Sequence, residues 1–350
     1  MFKRKPNNSP FLISGPCSAE TPEQLNTIAK ELKENVKLDV LRAGIWKPRT
    51  RPNSFEGNGE EALKWLLNVK KEHHLKTTVE VANANHVELA LKHEVDILWL
   101  GARTTVNPFS VQEIADSLKG VDIPVLIKNP INPDLQLWIG AIERIQQAGI
   151  NNIGVIHRGF SAYGISTYRN KPMWEIPIEL KRLYPELAII CDPSHIGGKR
   201  TLIEPIAQKA MDLTFDGLMI ESHNDPNNAW SDAAQQITPK VIKSILNRLI
   251  LRNDTFSDND LQLQEIRSKI DSLDEDVISK ISNRMDLIEM IGKLKKENNI
   301  PILQVDRWSE VLDNLNQLGS ENKLSEKFMK EFLNAIHTES IRKQTFLMNK

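Results

Sequence analysis

The sequence predicts an α/β (β/α)8 barrel of the TIM type, followed by an all-α domain of three helices. Three observations predict it. Eight short, continuously apolar runs alternate with amphipathic segments between Phe11 and Leu251, and strands apolar along their whole length are those buried on both faces, as in parallel sheets. Eight such β-α units in about 240 residues match the size of a closed barrel. After Asn253 no strand pattern recurs, and apolar residues return at spacings of three and four. The alternative, a doubly wound open sheet, calls for a Gly-rich first turn of the dinucleotide type, which is absent.

In order, the predicted strands are Phe11 to Ser14, Asp39 to Leu41, Thr77 to Val81, Ile97 to Leu100, Pro124 to Ile127, Ile153 to Ile156, Ala188 to Ile190 and Gly217 to Ile220. Helical patterns between them include Thr21 to Asn35, Gly59 to His73, Pro133 to Ala148 and Arg200 to Leu213, with Val241 to Leu251 after the last. The polar segment NDTFSDND ends in residues suited to cap a helix. The expected division is a barrel over 1–252, a linker over 253–258 and a helical domain over 259–350. From about Asp258 to Asn298 a single helix is expected, its stripe formed by Leu263, Ile266, Ile270, Leu273, Val277, Ile281, Ile288 and Ile291. Such a helix needs a partner. Pro301 breaks the pattern, and Gln304 to Leu318 and Ser325 to Met348 follow as two more helices, a domain expected to be completed by dimerisation.

With 45 basic and 46 acidic residues the net charge is −1, so no global field recruits nucleic acid or an anionic membrane. No apolar run approaches the roughly 20 residues of a membrane span, and the basic start lacks an apolar signal region. A cytoplasmic protein is expected. Two cysteines, Cys17 and Cys191, make no disulfide framework. With only ten residues before the first strand, no separate N-terminal regulatory domain is expected.

In a barrel the active site lies where strands end and βα loops begin. Those positions hold Cys17, Lys47 and Arg49, Glu80, Arg103, Lys128, His157 and Arg158, Asp192 and His195, and Glu221 and His223, with Asp232 further on. Cys17, His195, Glu221 and Asp232 form a sulfur, nitrogen and oxygen set that suits a divalent transition metal, without selecting among Mn, Fe, Co and Zn. Lys47, Arg49, Arg103, Lys128 and Arg158 form a cation set, and cations converging on one cleft call for a polyanion. The run from Arg42 to Gly57 adds Arg51 and rigid Pro and Gly punctuation. In the helical part, Arg267, Arg284, Lys295, Arg307, Ser340 and Gln344 interrupt or border the apolar stripes. From pattern alone, exposed i,i+4 pairing accounts for those charges best.

The barrel motifs are Gly15-Pro16-Cys17-Ser18, Lys47-Pro48-Arg49-Thr50, Gly101-Ala102-Arg103, Asp192-Pro193-Ser194-His195 and Ile220-Glu221-Ser222-His223, with Ser231-Asp232 downstream. In that order they resemble the short type Iβ 3-deoxy-D-arabino-heptulosonate 7-phosphate (DAHP) synthases over most of residues 11–250. From about 258 to 348 the chain resembles the all-α chorismate mutases, through Arg267-Ser-Lys-Ile270-Asp271-Ser-Leu273-Asp274, Arg284, Lys295, Pro301, Asp306-Arg307, Ser340 and Gln344. This second resemblance replaces the surface reading of those charges.

The resemblance implies a bifunctional enzyme of aromatic amino-acid biosynthesis. Its barrel condenses phosphoenolpyruvate with erythrose 4-phosphate, and its helical domain rearranges chorismate to prephenate. It implies that Cys17, His195, Glu221 and Asp232 hold the metal, and that Arg49, Arg103, Lys128 and Arg158 grip phosphoenolpyruvate, Lys128 also as a proton donor. Lys47, Thr50 and Arg51 then take the aldose phosphate. For the mutase it implies Arg284 and Arg267 on the carboxylates, Arg267 from the partner chain of a homodimer. Lys295 and Gln344 would face the ether oxygen, with Arg307 and Ser340 in support. Prephenate feedback through the fused domain is expected. The chain departs from the resemblance at Asn129-Pro130, where Arg-Gly is common, at Ser222, and at Gln304 and Trp308, where relatives often carry Asp and Glu. The rival readings are a 3-deoxy-D-manno-octulosonate 8-phosphate synthase barrel, and a regulatory helical domain without catalysis.

Overall fold

The computed structural model describes residues 1–5, 9–47, 55–164, 166–252 and 261–349. Contacts divide the chain into two compact units, Met1–Asp254 and Thr255–Lys350. The expected linker, 253–258, lies outside the described residues.

In the first unit, β1 (Phe11–Gly15), α1 (Pro22–Asn35), β2 (Val40–Arg42), α2 (Gly59–His73), β3 (Thr77–Val81) and α3 (Ala84–Lys92) open the barrel. They are followed by β4 (Ile97–Leu100), α4 (Ala102–Thr105), α5 (Pro108–Ser117), β5 (Val125–Lys128), α6 (Leu135–Gln147) and β6 (Ile153–His157). The unit ends with α7 (Glu175–Leu183), β7 (Ala188–Cys191), α8 (Pro193–Gly197), α9 (Arg200–Asp212), β8 (Gly217–Glu221) and α10 (Pro239–Arg248). All eight strands are parallel, and β1 pairs with both β2 and β8, so the sheet closes in chain order as expected. The second strand starts one residue later than predicted and includes Arg42. The fifth likewise includes Lys128.

The apolar residues sort into two layers. Ile13, Val40, Trp99, Leu126, Ile156, Ile190 and Met219 fill the barrel interior together with Phe2, whose ring meets Phe11 edge-on at 5.7 Å. A larger layer lies between strands and helices. The helix α1 illustrates the local logic. Thr21 accepts a hydrogen bond from the Gln24 N–H, Pro22 stands in the first turn, and Leu25, Ile28, Ala29 and Leu32 make one buried face. With strands covered on both faces, the charged groups are left at the strand ends.

The second unit consists of α11 (Leu261–Glu297), α12 (Val305–Glu321) and α13 (Glu326–Met348). Ser325 caps α13 by accepting from the Phe328 N–H. Gly292 lets α13 approach α11, since a Cβ there would lie 3.2 Å from Leu347 and 3.3 Å from Gln344. Much of the α11 stripe stays exposed: Ile266 is 47%, Ile270 50%, Leu273 62% and Val277 50% accessible. No helix among the described residues is long and apolar enough to cross a membrane.

Candidate active sites

At the C-terminal ends of the strands, the expected ligand residues come together. The ligand atoms of Cys17, Glu221 and Asp232 lie within 4.8 Å of one another. Cys17 follows β1 and Glu221 ends β8. Asp232 lies in the loop beyond, at φ +48°, in the left-handed region. His195 stands just outside this triple, its Nε2 3.8 Å from Glu221 Oε1. Its orientation is set from β7: Asp192 caps α8 by accepting from the His195 N–H at 3.0 Å, and its Oδ2 lies 2.8 Å from His195 Nδ1. A carboxylate on Nδ1 leaves Nε2 as the free donor atom facing Glu221. Thiol, imidazole and two carboxylates, one thiol and one carboxylate fully buried, fit a divalent transition metal.

The charges around this set are tightly interlocked. Lys47 Nζ donates to Cys17 Sγ at 3.0 Å, and Gly44 makes the approach possible, because a Cβ there would lie 2.7 Å from that Nζ. Burial and the Glu221 carboxylate push the Cys17 thiol up to about 11. Burial would also raise Glu221, but His195 and Arg42 outweigh it and hold the carboxyl down to about 2. Arg42, fully buried, lies 3.2 Å from Glu221 Oε1 and 5.1 Å from the centre of the Trp99 ring. Its Nε and one terminal nitrogen make no hydrogen bond among the described residues. Sequence reasoning noted Arg42 as one cation of the loop and gave it no role; an arginine closing an apolar strand was the available signal.

The cation set lies beside the ligand set. Arg103, Lys128 and Arg158 line one cavity of about 180 Å³ with Glu80, Arg169 and His195. Lys128 ends β5, and its Nζ is 3.0 Å from Asp192 Oδ2. Arg158 donates to Asn170 at 2.9 Å, and burial pulls its guanidinium down to about 10. Asn129, one of the departures noted in the sequence, is fully buried and accepts the Arg158 N–H at 2.7 Å, so it fixes the backbone that carries this cation. Glu80 accepts from Trp99 Nε1 at 2.9 Å and packs over Gly101, where a Cβ would collide with it at 2.1 Å. Arg169, which sequence reasoning missed, donates to Asp232 Oδ1 at 3.0 Å and to Gln235 at 2.6 Å. Arg49, Thr50 and Arg51 lie outside the described residues.

In the second unit, a cavity of about 270 Å³ gathers Arg284, Lys295, Arg307, Ser340 and Gln344. Arg284 donates to Ser340 Oγ at 2.8 Å, Lys295 to the Ile302 carbonyl at 2.6 Å, and buried Gln344 Oε1 makes no hydrogen bond among the described residues. Gln304, Trp308 and His337 complete the wall, the last two stacked at 3.7 Å. Arg267 does not line this cavity. It stands near the start of α11, roughly 25 Å along the axis from Arg284.

Comparison with known proteins agrees with both units. The DAHP synthetase I family model matches residues 4–254. The chain belongs to the DAHP synthetase I family. Its helical unit matches the chorismate mutase type II model over residues 266–345. As a DAHP synthetase I member it is 30% identical over 238 residues to a phospho-2-dehydro-3-deoxyheptonate aldolase of Thermotoga maritima, covering 68% of each chain. A 2-dehydro-3-deoxyphosphooctonate aldolase of Wolinella succinogenes is 27% identical over 264 residues, covering 69% of this chain and 98% of that one. The crystal structure of the Thermotoga maritima DAHP synthase superposes with a TM-score of 0.62 at 27% identity, covering 76% of this chain and 71% of that one. The truncated form of the Thermotoga enzyme gives a TM-score of 0.59 at 25% identity, covering 76% of this chain and 88% of that one.

Proposed function

We propose that the first unit condenses phosphoenolpyruvate with erythrose 4-phosphate to DAHP, and that the second rearranges chorismate to prephenate. The observation that carries the first assignment is that a transition-metal donor set and a cation-lined cavity share one barrel mouth, joined through Asp192. Arg103, Arg158 and Lys128 take the phosphate and carboxylate of phosphoenolpyruvate, each positioned from a different strand end. Lys128 Nζ, held by Asp192, is the group placed to give a proton as the carbon–carbon bond forms. Lys47, with Thr50 and Arg51, takes the aldose phosphate. Cys17, His195, Glu221 and Asp232 hold Mn, Fe, Co or Zn, which polarises the aldehyde of erythrose 4-phosphate when bound. The condensation consumes one water and releases inorganic phosphate. Turnover of phosphoenolpyruvate with erythrose 4-phosphate tests this assignment, and preference for arabinose 5-phosphate would point to the eight-carbon synthase instead.

For the second unit, three cations and two amides around one cavity support binding of a compact dicarboxylate, with Lys295 and Gln344 on the ether oxygen. We place Arg267 in the site of a partner copy, in a homodimer that covers the exposed α11 stripe. Prephenate, the product held in this cavity, is the proposed feedback inhibitor of the barrel. We place the enzyme in the cytoplasm, in keeping with two buried cysteines that form no disulfide. The stacked Trp308 and His337 favour one second reading, a domain that binds chorismate or prephenate without converting it. Chorismate consumption no faster than in a Lys295→Ala variant would decide for that reading.

A further inference from the structure

The loops that carry Cys17 and Asp232 lie 215 positions apart in the chain, and a buried set of polar contacts ties one to the other. Glu20, just after Cys17, accepts from the backbone N–H of Trp230 at 2.8 Å through one oxygen. Its other oxygen lies 3.2 Å from His223 Nε2. The Asp225 N–H donates to His223 Nδ1 at 2.9 Å, so the ring proton sits on Nε2 and points at Glu20. Beside this pair, the hydroxyls of Ser18 and Ser231 are hydrogen-bonded. The Cys17 N–H donates to Gln236 Oε1 at 2.9 Å, and Gln236 Nε2 donates to the Ser231 carbonyl at 2.9 Å. Glu20, His223, Ser18, Ser231 and Gln236 are all buried.

Adhesion alone does not explain such contacts. Burying a carboxylate beside an imidazole carries a desolvation cost that well-packed apolar side chains avoid. Directional bonds to the backbone just before Asp232 provide orientation instead. Asp232 needs it, because its φ of +48° is one that residues other than glycine seldom take.

We propose that Glu20 and His223 are positioning residues of the metal centre, setting the separation between Cys17 and Asp232. This rests on the metal assignment above. Neither residue lines the cation-lined cavity, and the effect passes through the two loops. Partners behind metal ligands are commonly worth about 10- to 100-fold in metal affinity.

The test uses the full chain, stripped of metal and titrated with Mn²⁺ against a chromophoric chelator. Glu20→Gln keeps the side chain's size and its acceptor for Trp230, but turns an N–H toward the His223 proton. Its dissociation constant for Mn²⁺ is expected to rise about 10- to 100-fold. Phosphoenolpyruvate affinity of the metal-free protein, read by tryptophan fluorescence, should hold. Ser231→Ala removes one hydroxyl, leaves the Glu20–His223 contact and should weaken Mn²⁺ by a smaller factor. Wild-type Mn²⁺ affinity in Glu20→Gln overturns the proposal, as does a parallel loss of phosphoenolpyruvate binding, which marks general disruption. If the wild-type chain itself does not bind Mn²⁺, the metal assignment falls, a distinguishable failure.

Discussion

Lys128 Nζ lies 3.0 Å from Asp192 Oδ2, and the same oxygen lies 2.8 Å from His195 Nδ1. One buried carboxylate thus joins the cation set to the metal-ligand set. Burial alone would raise the Asp192 carboxyl, but His195 and Lys128 hold it well below the ordinary carboxylate range. It ties the strand end that carries Lys128 to the helix turn that carries His195.

Asp192→Asn keeps the shape and removes the charge. His195 then loses its fixed tautomer, and Lys128 its counter-ion. Mn²⁺ affinity should fall about 10- to 100-fold, with synthase kcat/KM falling further because Lys128 is also displaced. Metal titration and steady-state kinetics on one preparation check both. A variant with unchanged metal affinity would contradict the joint.

Lys128→Met removes the proposed proton donor and one anion contact. The expected loss in synthase kcat is about 10²- to 10⁴-fold, with a smaller rise in KM for phosphoenolpyruvate and none for erythrose 4-phosphate. A pure KM effect would leave Lys128 as a binding group only.

His157 gives an acid-stability prediction away from the chemistry. It is buried against Phe160, Trp174 and Phe215, and burial and the Arg158 charge lower it from 6.5 to about 3. Between those values the unfolded chain binds a proton that the folded chain does not. Stability from this group is therefore full above pH 6.5 and falls as pH drops toward 3, by about 1.4 kcal/mol per pH unit. Urea unfolding at pH 7, 6 and 5 should show His157→Leu with a shallower loss than wild type. An equal slope in both would show that His157 is not the titrating group.

Ile270, on the exposed stripe of α11, lies one turn from Arg267. Ile270→Glu should halve the mass seen by light scattering and remove most mutase activity. A dimer that persists with full mutase activity would contradict the partner-chain role of Arg267.

Removing one donor aimed at developing negative charge commonly costs about 10²- to 10³-fold in kcat. Lys295→Ala and Gln344→Ala should each do so for chorismate, with little change in synthase turnover in the absence of prephenate. Equal chorismate rates in wild type and both variants would favour the regulatory reading.

Strand order and closure were legible in the sequence, because strands buried on both faces leave unbroken apolar runs such as Ile97 to Leu100. The candidate ligand residues stood out for the same reason. Where every strand is apolar, the charged residue that ends it stands out, as Lys128 and Glu221 do. Arg42 and Asn129 were harder, since their meaning lies in what they face: Glu221 for one and the Arg158 backbone for the other. The Glu20 and His223 contact joins residues 203 positions apart, and no local pattern announces it. Arg267 differs again. Its resemblance was visible in the sequence, yet the cavity around Arg284 does not include it, and the proposed contact from a second chain is what the Ile270→Glu variant tests.

The most direct measurement follows phosphoenolpyruvate consumption with erythrose 4-phosphate before chelation, after it, and with Mn²⁺ restored. Loss on chelation and recovery with Mn²⁺ is the predicted result. Full activity after thorough chelation would contradict the account, stripping Cys17, His195, Glu221 and Asp232 of their role.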